Sequence, residues 1–79
     1  MEYDQERVND AVLALLWLTM FDDGRITRAW KNHDWNVLDR LHAKGFIGEP
    51  MSKAKSVVVT HEGKERARQL FEKMFRSTV

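Results

Sequence analysis

The stretch DWNVLDRLHAKGFIGEPMSKAKSVVVTHEG, residues 34–63, constrains the fold more than any other part of this chain. Asp34 can cap a helix and Gly45 can stop it. Phe46-Ile47 then reads as a short strand, Gly48-Glu49-Pro50 as a turn and Met51 to Ala54 as a polar loop. Ser56 to Thr60 is a β-branched run with the alternation of a half-buried strand. Thr60 can cap a following helix, with Glu62 in its first turn. Helix, hairpin, helix in that order is the back half of a winged helix-turn-helix domain. The expected class is therefore mainly α with a small β-hairpin (α+β), winged helix-turn-helix-like, in the order α-α-α-β-β-α, as one domain over residues 1–79.

The preceding residues are read to fit that frame. A first helix is expected from Asp4 to Met20, with Asp4 as its cap. Val8, Ala11, Val12, Leu15 and Thr19 form one stripe on it, and Leu13, Leu16, Trp17 and Met20 form a second. A surface helix needs one stripe, so either this helix runs through the middle of the domain or its second stripe meets another subunit. Asp22-Asp23-Gly24 reads as the turn that ends this helix, with Gly24 at positive φ. Arg25 to Lys31 reads as a short helix, because Ile26, Ala29 and Trp30 recur at i, i+3, i+4. The third helix runs from His33 or Asp34 to Lys44, with Asn32 or Asp34 as its cap. Trp35, Leu38 and Leu41, with Val37 and His42, are expected to point inward. The last helix runs to Phe75, with Ala67, Leu70, Phe71, Met74 and Phe75 on one face.

Charge separates along the chain. Residues 1–43 hold five Arg/Lys and eight Asp/Glu, a net of −3, and residues 44–79 hold eight and four, a net of +4. A basic half suits phosphate contact. The candidate nucleic-acid contacts are Arg25, Arg28 and Lys31 before the third helix, Asn36, Arg40 and Lys44 on it, and Lys53 and Lys55 on the loop. Asn and Arg are the side chains that read base edges in a major groove. Asp34 and Asp39 oppose that use of the same helix. The candidate dimer interface is Leu13, Leu16, Trp17 and Met20 with Phe71, Met74 and Phe75.

Other chemistry finds no constellation. Cysteine is absent, and His33, His42 and His61 occur singly, outside any paired-ligand spacing. The serines lack a nucleophile-elbow context, and the glycines form no phosphate-cradling loop. No catalytic residue, metal, cofactor or small-molecule ligand is expected, and the protein is expected not to be an enzyme. The longest apolar run, Ala11 to Phe21, is eleven residues, against roughly 20 for a bilayer span. The acidic N-terminus MEYDQERVND is no secretory signal. A cytoplasmic location without membrane insertion is expected. A chain this short buries only about 60–65% of its unfolded surface, which makes self-association a plausible supplement to its core.

The run ITRAWKNHDWNVLDRLHAKGFI, followed by KAKSVVVTHEG, resembles a family of short bacterial proteins carried as a domain of unknown function. The tryptophan pair Trp30/Trp35, with Asp34, Leu38, Asp39 and Arg40, carries the likeness, which covers nearly the whole chain. More generically, GFI…VVVT-x-E-G is similar to the strand, wing and final-helix junction of bacterial winged-helix regulators. That second likeness implies the winged-helix fold and suggests regulation; neither assigns functional residues. Two function classes follow. One is a DNA-binding transcriptional regulator acting as a homodimer on double-stranded DNA. The other is a protein–protein interaction module of the same fold.

Overall fold

A computed structural model describes residues 1–77. Asp4 does cap the first helix, α1 (Gln5–Leu16), accepting the Arg7 amide at 3.1 Å. The helix ends earlier than Met20. One 3₁₀ turn follows (Trp17–Thr19), in which the Thr19 hydroxyl bonds back to the Leu16 carbonyl. The chain then enters β1 (Met20–Asp23).

Arg25 to Lys31 is not helical. Ile26–Trp30 forms strand β2, paired antiparallel with β1 from Met20↔Ala29 to Asp23↔Ile26. The expected spacing of Ile26, Ala29 and Trp30 was real but too short to decide between periods. Seven residues make barely two helical turns, whereas both flanks of β2 find a backbone ladder. Gly24 has the positive φ expected of it, 66°. It serves a two-residue hairpin rather than a helix end. A glycine with positive φ followed by a residue without one is the sign pattern of a type II′ turn.

The next two helical junctions follow the sequence closely. Asp34 caps α2 (Trp35–Ala43), accepting from the amides of Asn36 and Val37. Gly45 ends it at φ 80°, with Phe46 N–H bonded to Leu41 O and Gly45 N–H to His42 O. That pair of bonds is a Schellman motif. Strand β3 (Ser56–Val59) pairs antiparallel with β2, from Thr27↔Val59 to Trp30↔Ser56. Phe46–Gly48 runs along its other edge through one bridge, Ile47↔Val59. The expected wing hairpin is thus reduced to that bridge, and β3 takes its main partner from β2 instead. Thr60 caps α3 (His61–Phe75), its hydroxyl accepting the Gly63 amide at 3.0 Å. The order is α-β-β-α-β-α, with a three-stranded antiparallel sheet β1-β2-β3. The expected order α-α-α-β-β-α is corrected at residues 20–31.

One sheet face and three helices share the core. Leu13, Leu16, Leu38, Leu41, Ile47, Val57, Val59, Ala29, Ala67 and Leu70 pack together there. The period of two then sends Phe21, Ile26, Arg28, Trp30 and Val58 to the opposite face. Phe21, Ile26 and Trp30 are exposed on it. Among the described residues no helix is long and apolar enough to cross a membrane.

Candidate functional site

Lys31 is the pivot of the exposed side. Its backbone amide donates to Lys55 O at 3.1 Å, continuing the β2–β3 ladder by one residue. Its ammonium donates to Pro50 O and Ser52 O, each at 2.7 Å, and to Ser52 Oγ at 3.3 Å. A charged donor makes these bonds stronger than neutral ones. They fasten the 49–55 loop to the end of β2. Glu49 adds a bond from the Met51 amide, and Pro50 is buried. The same Lys31 ammonium lies 5.6 Å above the Trp35 ring.

The fastened loop and the end of β2 enclose an open groove of about 600 Å³. Trp30, Lys31, Asn32 and Trp35 line one side of it, and Ser52, Lys53, Ala54 and Lys55 the other. Trp30 is 49% exposed and Trp35 55%. Trp30 leans on Phe21, ring centroids 5.4 Å apart and tilted by 37°. Lys53 and Lys55 are exposed, and among the described residues no carboxylate lines the groove beside them. A smaller hollow continues past Trp35, lined by Asp39, Met51 and Ser52. Asp34 stands near the groove in sequence, but the two amides it caps offset its charge.

The candidate nucleic-acid contacts separate in space. Lys31, Lys53 and Lys55 come together in this groove. Arg28 lies across the outer sheet face, its Nε bonded to Ser56 Oγ at 2.7 Å and its Nη2 to Ser56 O at 2.9 Å. Arg25 stands at the hairpin end of β2, beside a hollow it shares with His61 and Lys64. Asn36 is exposed on the first turn of α2. Arg40 and Lys44 turn toward α1. Arg40 Nε donates to Asn9 Oδ1 at 2.7 Å, and Lys44 Nζ meets Glu6 at 2.9 Å.

The candidate dimer residues also divide. Leu13 and Leu16 are fully buried inside this one chain, so they have no surface left for a partner. Trp17, Met20 and Phe71 are half-buried against the same core. Met74 and Phe75 are exposed, and the Phe75 ring lies against Phe71, centroids 5.3 Å apart and tilted by 52°. Much of the rest of α3's outer surface carries paired charges. Arg68 bonds both Glu65 and Glu72, and the hydrogen bond from Arg68, with its charge, holds the Glu65 carboxyl below the usual carboxylate range.

Sequence periodicity places Trp30 and Trp35 inward, whereas the groove depends on their facing out. A signal existed for Trp35. At 3.6 residues per turn it lies roughly 110° from the centre of the stripe Val37, Leu38, Leu41. For Trp30 the signal lies in the strand alternation, which is visible only once residues 26–30 are read with period two.

Three comparisons bear on identity. A family described as a domain of unknown function (DUF6429) matches residues 4–77. An uncharacterized protein, y4hR, of Sinorhizobium fredii (strain NBRC 101917 / NGR234) is 48% identical over 75 residues, which is 95% of this chain and 97% of that relative. No solved structure matches the chain.

Proposed function

The chain belongs to the DUF6429 family, and from that premise we propose that it is a non-enzymatic binding module that contacts nucleic acid through the Trp30/Trp35 groove. The observation that carries this reading is the coincidence of two half-exposed indoles with two exposed lysines, Lys53 and Lys55, that pair with no acid among the described residues, in one open groove. Large apolar side chains held at a surface mark contact sites more often than scattered ones do. Aromatic faces beside cations match the two parts of a nucleotide, its base and its phosphate. The duplex-reading regulator that the winged-helix pattern suggests has less support. It would need Arg40 and Lys44, and both are engaged by α1.

Salt dependence tests the reading. Neutralising two or three phosphates gives a log–log slope of about −2 against salt. Anisotropy of a labelled oligonucleotide, titrated at low and at moderate salt, should show that slope. Failure to bind at low salt with micromolar protein overturns the proposal.

Self-association is a second reading. Its support is the exposure of Leu15, Leu18, Met74 and Phe75 on α1, α3 and the turn between α1 and β1. Sedimentation at tens of micromolar should then return the mass of a dimer; a monomer mass removes this reading.

A further inference from the structure

We infer that the polynucleotide taken up by the groove is single-stranded: unpaired bases stack on Trp30 and Trp35, and Lys53 and Lys55 hold the phosphates between them. This deepens the nucleic-acid reading above and rests on it.

The two indoles decide between single strand and duplex. A duplex keeps its base faces inside its own stack and presents edges and phosphates. An exposed indole face has nothing in a duplex to stack on. An unpaired strand presents base faces and phosphates together, at intervals a short groove can follow. Both indoles are held in place before any strand arrives. Trp30 is braced by Phe21 at 5.4 Å, and Trp35 by the Lys31 ammonium at 5.6 Å. Lys31 is itself fixed by three oxygens of the loop. Rigid platforms lose little freedom on binding.

Charge fixes the path. The polar lining of the groove is lysines and the neutral Asn32 and Ser52, and among the described residues no carboxylate lines it. Asp39 lies in the adjoining hollow beyond Trp35. A polyanion therefore runs from Trp35 toward Lys53, Lys55 and Trp30, away from Asp39. Stacking is tolerant of base identity, so sequence preference should be weak.

Indole fluorescence reads the test directly. The probes are a thymidine oligomer of about twelve nucleotides, a duplex of equal length, and polyglutamate. The oligomer should quench the emission and bind roughly tenfold tighter than the duplex. Trp35→Ala should weaken oligomer binding by roughly tenfold, and Trp35→Phe should restore most of it. Trp35 is more than half exposed, so circular dichroism should show both variants folded. Lys53→Gln with Lys55→Gln should make the log–log salt slope shallower by about 1.4, at about 0.7 per phosphate. Equal affinity for oligomer and duplex, with unchanged emission, overturns this inference and leaves nucleic-acid contact standing. Polyglutamate binding as tightly as the oligomer overturns it too, in favour of an acidic protein partner. Absence of binding to either polynucleotide removes both this inference and the reading beneath it.

Discussion

Gly63→Ala is expected to cost about 3 kcal/mol or more, a large share of what a domain of this size has. The usual sign is the opposite. Alanine inside a helix is favoured over glycine by about 1 kcal/mol. Gly63 sits in the first turn of α3 without a positive φ, so its backbone would accept alanine. The space would not. A Cβ at Gly63 would overlap the carbonyl oxygen of Phe46, with Phe46 C at 2.7 Å and Cα at 3.0 Å. Those are backbone atoms, and they are held from several sides. Phe46 N–H bonds Leu41 O, and Phe46 O accepts the Thr60 amide at 3.0 Å and lies 3.1 Å from the Thr60 hydroxyl. Moving Phe46 would break the joint between α2, β3 and α3 and strip cover from Ile47 and Val59. Thermal unfolding followed by circular dichroism should show Tm lowered by about 12 °C or more. Gly48→Ala is the comparison, since its Cβ would come nearest the Val58 side chain, at 3.3 Å, with the Val58 carbonyl oxygen at an ordinary contact distance of 3.8 Å. If Gly63→Ala melts with the parent protein, the joint is looser than these contacts imply.

That joint was legible because its rules are local. Asp34, Gly45 and Thr60 each act within four residues, through caps whose chemistry belongs to the residue type. The ends of α2 and α3 and the span of β3 therefore fall within one or two residues of where the sequence places them. Gly63 was read only as part of a helix start. Its close approach to Phe46 is a tertiary fact, and no local pattern announces it.

Residues 20–31 differ from their helical expectation for the complementary reason. Met20, Phe21, Ile26 and Trp30 satisfy helical spacing and strand alternation alike over so short a run. What decides is the partner strand, since β2 takes hydrogen bonds from β1 on one side and β3 on the other. Neither ladder can be seen from within the segment. The error carried into the site. As helix residues, Ile26, Ala29 and Trp30 share a buried face. As strand residues, Ala29 goes to the core and Trp30 to the surface beside Lys31. The basic loop with Lys53 and Lys55 was visible from composition. The aromatic half of the groove was not, because it needs both the strand assignment and the angle of Trp35 on α2.

Arg40→Ala separates a structural role from a binding role, and it is expected to cost about 2 kcal/mol of stability while leaving polynucleotide affinity unchanged. Sequence placed Arg40 on an outward face of α2, available to bases. The side chain instead reaches α1 and donates from Nε to Asn9 Oδ1 at 2.7 Å. Asn9 is 1% exposed, and neither its Nδ2 nor Arg40 Nη2 has a hydrogen-bond partner among the described residues. Truncating Arg40 leaves the whole Asn9 carboxamide buried without its one bond, and an unmet buried polar group costs roughly 1–3 kcal/mol. The pair is poorly satisfied even when intact, so removing both polar groups together should be far milder than removing one. Asn9→Leu with Arg40→Met deletes both polar groups and puts apolar side chains in their place. Urea midpoints at constant m-value should rank the parent and the double variant close together and Arg40→Ala well below. A double variant as unstable as Arg40→Ala would mean that the bond itself, rather than the orphaned amide, carries the effect. An Arg40→Ala protein that keeps its midpoint and loses polynucleotide binding would return Arg40 to the contact surface and move the site from the groove to α2.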